Sequence, residues 1–287
     1  MTNAAGTDRP LGTERVLLVG AGAMGRAIVE GTLAAGVMRA EQWLAAEPDA
    51  ERRHAMRTLG VRCETEVRTL FGELREDDQV LLAVKPQSLG EVAVQLGQRE
   101  GGRAERSRIV ISILAGTPTT RIRAALGEWA RVIRAMPNLG ASVGRSTTAL
   151  AIGAGARAGD EGLAACIFGA VGRLVERVDE SMMDAFTAIA GSGPAYVFLL
   201  AEAMEAAARE QGFDREAAAR IVREVIGGSA ALMDAAKKDP AELRASVTSK
   251  GGTTEAAVRV LENAKAKDLL IRAMHAARER GVELSRM

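Results

Sequence analysis

The chain has few cysteine, histidine and aromatic residues and almost no net charge. Its two cysteines, Cys63 and Cys166, lack metal-type spacing, which predicts buried free thiols in a reducing compartment. Neither histidine, His54 or His275, falls in a motif, so we interpret both as surface or packing residues and predict no metal site. The formal charge of +1 comes from scattered basic residues and gives no basis for binding nucleic acid or an anionic membrane.

Long hydrophobic runs are also missing. The first dozen residues are polar and contain no apolar targeting segment, and no run approaches the roughly 18 apolar residues that span a bilayer. We therefore expect a soluble cytoplasmic protein that does not bind membranes. A length of 287 residues is about twice that of a common domain, which favours two domains.

The first part of the chain alternates short apolar runs with amphipathic stretches. Runs too short for buried helices occupy residues 15–19, 43–46, 80–84, 108–113, 131–135, 147–152 and 174–178. Such alternation predicts an α/β fold whose N-terminal domain, residues 13–178, is a Rossmann-type, doubly wound and mostly parallel sheet.

Residues 179–287 contain no further strand-like run and are predicted to form an all-α domain. One helix begins near Pro194 and ends near Gly212, and a second follows Asp214 and ends before Pro240. The first helix is predicted to bury one face, formed by Val197, Leu200, Met204 and Ala207. A glycine-bent loop over 247–254 and two more helices complete the chain.

A glycine-rich segment follows the first predicted strand directly. It places Gly20, Gly22 and Gly25 in the spacing of a dinucleotide-binding loop, with Ala23 and Met24 between them and an amphipathic run after them. The first glycine permits a tight turn, the second lets the backbone approach a pyrophosphate, and the third lets the helix pack on the sheet. We therefore predict that these five residues bind the cofactor phosphates.

The end of the second predicted strand bears on which cofactor is bound. Glu47 lies 22 residues beyond Gly25, near the position from which an acid binds the ribose 2′-hydroxyl of NADH. Arg52 and Arg53 could instead bind the 2′-phosphate of NADPH, or serve only as solvated residues of the next helix. The sequence leaves NADH and NADPH both open.

Five further segments occur in an order that resembles one family. They are Ala83-Val-Lys-Pro-Gln87, Ile111-Ser-Ile-Leu-Ala-Gly116, Arg134-Ala-Met-Pro-Asn138, Gly191-Ser-Gly-Pro-Ala-Tyr196 and Thr248-Ser-Lys-Gly-Gly-Thr-Thr254. Together with the glycine loop they resemble the pyrroline-5-carboxylate reductases over nearly the whole chain. The sequence departs from the family pattern at Ala190, at Leu139-Gly140 and at Lys250, which bears on the shape of the substrate carboxylate pocket.

The resemblance implies an NADPH- or NADH-dependent enzyme that reduces 1-pyrroline-5-carboxylate to proline. It further implies that the all-α domain is a dimerisation domain and that the protein is a homo-oligomer of intertwined dimers. On this basis the strand ends would line the nicotinamide half of the cofactor through Ala83, Val84, Lys85, Pro86, Ala115, Gly116 and Asn138.

The loop before the third helix of the second domain is the predicted substrate site. We hypothesise that the N–H groups of Gly251 and Gly252, with Ser249 and Thr253, hold the substrate carboxylate, because a glycine-bent loop before a helix is a natural anion site. Thr254 would then act as the catalytic residue by hydrogen-bonding the ring nitrogen. Alternatively, the two threonines only cap the helix that starts near Glu255.

Other functions fit the sequence less well. Dehydrogenases of β-hydroxyacids need a lysine early in the helical domain, and none occurs after Pro194 before Lys237. Ser192 has no accompanying histidine base and is interpreted as a helix cap. A dinucleotide-binding regulator without enzymatic activity, and a reductase of another cyclic imine, remain as alternatives.

Overall fold

The computed structural model describes residues 12–97 and 107–286, which form two compact units. The first unit runs to Gly191 and also takes in the C-terminal segment from Arg278, and the second unit comprises Ser192–Ala277. These limits differ from the predicted boundary at residue 178. The C-terminal segment belongs to the first unit because Leu284 lies against Gly116 and Ser285 donates a hydrogen bond to Asp184.

The first unit is built on one sheet of eight strands. The strands are β1 (Val16–Val19), β2 (Trp43–Ala46), β3 (Arg62–Glu64), β4 (Gln79–Leu82), β5 (Arg108–Ser112), β6 (Ala130–Met136), β7 (Ser146–Ile152) and β8 (Gly172–Arg177). Their order is β3-β2-β1-β4-β5-β6-β7-β8, and every neighbouring pair is parallel except β6 and β7. The strand order reverses between β1 and β4, which confirms the doubly wound, mostly parallel sheet.

All seven predicted strands are present within two residues at each end, whereas β3 was missed. This strand has three residues, of which only Cys63 is buried, so it carries too little apolar pattern to be read from the sequence. It forms the edge of the sheet beside β2.

Helices cover both faces of the sheet. The helices of the first unit are α1 (Ala23–Ala34), α2 (Ala50–Thr58), α3 (Val67–Phe71), α4 (Leu89–Gly97), α5 (Thr119–Leu126), α6 (Gly162–Ala170) and α7 (Met183–Phe186). Alternate residues of β1 enter two separate cores: Val16 and Leu18 pack with α1 and α6, while Leu17 and Val19 pack with α3, α4 and α5. The sheet is therefore covered by helices on both faces, and the loops that follow its strands extend from a packed core.

The second unit is entirely helical. Its helices are α8 (Gly193–Glu210), α9 (Arg215–Ala236), α10 (Pro240–Ser246), α11 (Thr253–Asn263) and the larger part of α12 (Ala266–Arg286). The short helix α10 was not predicted. Pro240, expected to stop a helix, occupies the first turn of α10, and Asp239 caps that helix through the N–H of Ala241.

The second unit leaves most of its apolar side chains exposed in the single chain. Among its described residues only Ala218 and Val222 are buried. The predicted burial of one face of α8 is therefore wrong for the single chain, because Val197 and Leu200 are exposed and no helix of their own unit covers them. An apolar surface of this extent is typical of a protein interface.

Helical residues and a π-helical turn precede α8, and the sequence predicted neither. Residues Glu180–Glu210 are helical apart from a bend at Ser192, and within them Thr187–Gly191 make a π-helical turn. Ser192 is the N-cap residue of α8, as predicted, but its side chain makes no capping hydrogen bond. By length and composition alone this stretch is also long and apolar enough to cross a bilayer, although it contains no uninterrupted apolar run of that length.

Candidate active site

The glycine loop forms a cradle at the start of α1. Gly22 is the N-cap of α1, with no side-chain capping bond and no acidic residue in the first turn. Helix geometry leaves the first N–H groups, including those of Ala23 and Met24, without intrahelical partners. A Cβ atom added to Gly22 would meet only one side-chain atom, 4.0 Å away, so the space above it is open. The loop thus fits a pyrophosphate in both charge and shape.

The other two glycines are required by the protein itself. Gly20 has a φ of +95°, and a Cβ there would lie 2.9 Å from the carbonyl oxygen of Ala83. A Cβ on Gly25 would collide with the carbonyl oxygen of Gly20. The tight turn and the close helix packing that were predicted for these two glycines are therefore present in the structure.

Glu47 lies beneath the glycine loop rather than at its surface. Its carboxylate accepts hydrogen bonds from the N–H of Ala21 at 2.7 Å and from the N–H of Asp49 at 3.0 Å. Only 3% of the residue is exposed. Glu47 therefore ties the end of β2 to the glycine loop.

The two arginines that follow have different surroundings. Arg53 donates from Nη1 to the carbonyl oxygens of Glu47 at 2.9 Å and Pro48 at 2.5 Å, which fixes it against the backbone. Arg52 is largely exposed, and its Nη1 lies 3.9 Å from the Glu47 carboxylate. It is also the side chain nearest to a Cβ placed on Gly22.

The predicted nicotinamide-side residues lie at the same edge of the sheet. Ala83, Val84, Lys85 and Pro86 follow β4, Ala115 and Gly116 follow β5, and Asn138 follows β6. These strands are parallel to β1, so the residues lie along the carboxyl edge with the glycine loop. Lys85 and Ala115 are exposed there, whereas Ala83 and Val84 are half-buried.

Asn138 uses its amide group inside the protein. Its Nδ2 donates to the carbonyl oxygen of Ala190 at 2.9 Å, and its Oδ1 accepts from the N–H groups of Gly140 at 3.1 Å and Thr147 at 3.3 Å. Asn138 therefore joins the end of β6 to the π-helical turn. The second N–H of its Nδ2, its backbone and the loop that it shapes are what Asn138 can offer a cofactor.

Arg134, noted from the sequence only as the start of a family segment, belongs to a part-buried ion cluster with Glu180 and Asp184. Arg134 of β6 is 4% exposed and lies 3.6 Å from Glu180 and 3.6 Å from Asp184. Glu180 also accepts from the N–H of Thr119 at 2.7 Å and from its hydroxyl at 2.6 Å. A charged residue within a predicted buried strand was the available signal, because buried charges need partners.

The predicted substrate loop lies in the second unit, and its glycine N–H groups have partners within the loop. Gly251, with a φ of +75°, donates to Glu255 Oε2 at 2.8 Å, and Gly252 donates to the carbonyl oxygen of Ser249 at 3.0 Å. Gly252 is the N-cap of α11, so Thr253 and Thr254 open its first turn. No side-chain capping bond is present there, which speaks against the capping alternative for the two threonines.

Two buried groups outside the predicted site have shifted pKa values. Burial raises the pKa of the Cys63 thiol to about 11, which makes that thiol unreactive near neutral pH. Burial would also raise the pKa of Asp78, but hydrogen bonds from Arg15 and from the N–H of Arg75 outweigh it and hold the pKa below its ordinary value. Asp78 precedes β4, at the opposite edge of the sheet from the glycine loop.

The sheet order, the open cradle and the loops at the carboxyl edge define a dinucleotide-binding protein of the Rossmann class. Comparison of the sequence with protein families agrees: residues 15–116 match the family described as "NADP oxidoreductase coenzyme F420-dependent", and residues 180–284 match "Pyrroline-5-carboxylate reductase dimerisation".

Full-length relatives identify the family. A pyrroline-5-carboxylate reductase of Methanosarcina acetivorans is 37% identical over 276 residues, covering 95% of this chain and 98% of the relative. One from Arabidopsis thaliana is 34% identical over 280 residues, covering 96% and 97%. A solved Coxiella burnetii pyrroline-5-carboxylate reductase superposes with a TM-score of 0.85 at 34% identity, covering 96% of this chain and 99% of that one. The chain belongs to the pyrroline-5-carboxylate reductase family.

Proposed function

We propose that this protein is a cytoplasmic, NADPH- or NADH-dependent reductase that converts 1-pyrroline-5-carboxylate to L-proline. The observation that carries the proposal is the open phosphate cradle over Gly22, in a chain related over 95% of its length to a reductase of this name. A reduced nicotinamide, when bound, supplies the hydride. The protein contributes binding, orientation and exclusion of water.

The substrate carboxylate binds, in this proposal, at the start of α11. Residues Ser249, Gly251, Gly252, Thr253 and Thr254 form the site, but its donors differ from those first expected because both glycine N–H groups have internal partners. The N–H groups of Thr253, Thr254 and Glu255 lack intrahelical acceptors and point out of the first turn. An anion placed there is further stabilised by the helix dipole.

Two side chains would complete this site. The Thr254 hydroxyl has no capping role and is available to hydrogen-bond the ring nitrogen of the substrate. Glu255 carries the one negative charge of the first turn, and that charge is balanced by the Gly251 N–H and by Arg259, whose Nη2 lies 3.5 Å from Glu255 Oε2. The Glu255 carboxylate therefore shapes the loop more than it repels an anion.

The second unit is proposed to form an intertwined homodimer. Exposed apolar side chains occur on α8, α9, α11 and α12, and the family match over 180–284 is described as a dimerisation region. Burial of these faces against a second copy would also account for the apolar helix Glu180–Glu210 without a membrane.

The direct test is turnover of the imine. Purified protein is mixed with 1-pyrroline-5-carboxylate and NADPH or NADH, and loss of reduced-nicotinamide absorbance is followed while proline is assayed. Proline formed in step with cofactor oxidation supports the proposal. Cofactor binding without oxidation would favour a dinucleotide-binding regulator without enzymatic activity. Oxidation only with another cyclic imine would show that this other imine is the substrate.

The role of Thr254 is tested with a matched pair of variants. Thr254→Val removes the hydroxyl and keeps the shape, so kcat/KM should fall by about 10- to 100-fold, the loss expected for one hydrogen bond to a charged group. Thr254→Ser keeps the hydroxyl and should retain activity within a few fold. Full activity of a folded Thr254→Val protein would remove Thr254 from the mechanism.

A further inference from the structure

Glu47 and Arg52 are the two alternatives that the sequence gives for contacting the adenosine ribose of the cofactor. Both lie near the glycine loop, but the Glu47 side chain is buried and the Arg52 side chain is exposed. We infer that Arg52 binds the 2′-phosphate of the dinucleotide and that the protein therefore selects NADPH over NADH. The inference deepens the proposed function by fixing which reductant serves it.

The Glu47 carboxylate is held by the protein's own backbone and is nearly closed to a ligand. Ribose recognition by an acid requires that its carboxylate oxygens accept from the 2′- and 3′-hydroxyls. In Glu47 one oxygen already accepts from the Ala21 N–H at 2.7 Å and the other from the Asp49 N–H at 3.0 Å. Because the residue is only 3% exposed, its oxygens could meet a ribose only if the carboxylate moved away from these two N–H groups, which would then lose their partner.

Arg52 has the opposite properties. Its side chain is 58% exposed, and among the described residues its guanidinium meets only the Glu47 carboxylate, at 3.9 Å, which is too long for a hydrogen bond. Its Nη1 lies 4.0 Å from a Cβ placed on Gly22, so the guanidinium borders the open cradle. A planar guanidinium with free N–H groups is well suited to a phosphate dianion.

The charges around Arg52 also favour a phosphate. Arg53 adds a second positive charge and is fixed by the carbonyl oxygens of Glu47 and Pro48. Two neighbouring carboxylates have other partners: Glu47 is bound by two backbone N–H groups, and Asp49 caps α2 through the N–H of Arg52 at 2.9 Å. Of the two arginines, Arg52 is therefore the one able to move onto a ligand.

The test measures nucleotide binding to the protein without substrate. NADPH and NADH are titrated by fluorescence of the reduced nicotinamide, and 2′,5′-ADP and 5′-ADP by calorimetry. The wild-type protein should bind NADPH and 2′,5′-ADP at least 10-fold more tightly than NADH and 5′-ADP. This preference should shrink as salt is raised, because an exposed charge pair is screened.

Three variants locate the origin of the preference. Arg52→Gln should weaken NADPH and 2′,5′-ADP by about 10- to 100-fold and leave NADH within about twofold. Arg68→Gln, which removes another exposed arginine on α3, is the matched control and should change neither. Glu47→Gln should weaken both dinucleotides together, because it disturbs the loop and not the ribose contact.

Several outcomes would overturn the inference. They are equal or tighter binding of NADH by the wild type, an equal loss of both cofactors in Arg52→Gln, no loss in that variant, or a selective loss of NADH in Glu47→Gln. The proposed function is judged separately. Selective NADPH binding without imine reduction refutes the function alone, and imine reduction with an NADH preference refutes this inference alone.

Discussion

Two alanine substitutions in the glycine loop should have opposite effects, although the glycines are only three residues apart. Gly22→Ala adds a methyl group that meets a single side-chain atom at 4.0 Å, at a φ of −64° that alanine readily adopts. Gly25→Ala adds one that collides with the carbonyl oxygen of Gly20. The methyl group at position 22 would occupy the proposed pyrophosphate site, whereas the one at position 25 would overlap the backbone of the glycine loop.

The magnitudes follow from these surroundings. For Gly22→Ala, a poorer N-cap costs about 0.5 kcal/mol, and the reduced freedom of the unfolded chain returns a similar amount, so the net change in stability is near zero. For Gly25→Ala, overpacking costs about 2–3 kcal/mol, the upper part of the usual range, because the group in contact is backbone held by the Gly20 N–H bond to Ala46. Better helix propensity offsets about 1 kcal/mol of that cost.

Thermal unfolding and nucleotide titration separate the two effects. At one fixed protein concentration, Gly22→Ala should keep its Tm within about 2 °C and lose at least 10-fold in affinity for NADPH and NADH alike. Gly25→Ala should lower the Tm by roughly 2–8 °C. The reasoning is refuted if Gly22→Ala binds dinucleotides normally, or if Gly25→Ala is as stable as the wild type.

Two further predictions concern buried polar groups. Asp78→Asn should lower the free energy of unfolding in urea at pH 7 by about 2 kcal/mol, because it weakens the pair with Arg15. Because the pKa of Asp78 is lowered in the folded protein, its ionised carboxylate stabilises the fold at pH values above the unfolded pKa near 3.9, and this contribution is lost as the pH falls through the folded pKa. The free energies of unfolding of the variant and the wild type should therefore converge in acid. A difference that stays constant with pH would contradict this reasoning. Asn138→Ala should destabilise by about 1–3 kcal/mol because the Ala190 carbonyl loses its donor. Pro194→Ala should reduce that loss by supplying an N–H four residues on, and an unchanged loss in the double variant would argue against this origin.

The sheet was largely predictable because its signal is local. Buried parallel strands are short and apolar throughout, so β1 and β4 are visible in the sequence without any knowledge of their partners. Glycine at fixed positions after β1 likewise reports a backbone requirement, since Gly20 and Gly25 have no room for a side chain. Strand β3 was missed because only one of its three residues faces a core.

The helical unit was less predictable because its apolar pattern does not indicate which surface the apolar residues pack against. The spacing of Val197 and Leu200 correctly indicates a helix with an apolar face, but the same spacing fits burial within the chain and burial against another molecule. The π-helical turn was hidden for a different reason. Pro194 lies in the first turn of α8, as predicted, but it has no N–H to donate to the carbonyl of Ala190, and the distant residue Asn138 supplies that donor.

The site residues show what a motif can specify. Glu47, Asn138 and Gly251 all lie in the predicted loops, and in each the polar group expected to meet a ligand is bound by the protein instead. Loops that bend sharply at a sheet edge or helix end leave backbone groups without regular partners, and side chains in the same loops satisfy them. Spacing in a sequence therefore predicts which loops hold a ligand. We propose that the contacting atoms are those without a partner in the protein, namely the N–H groups at the start of α1 and α11 and the guanidinium of Arg52.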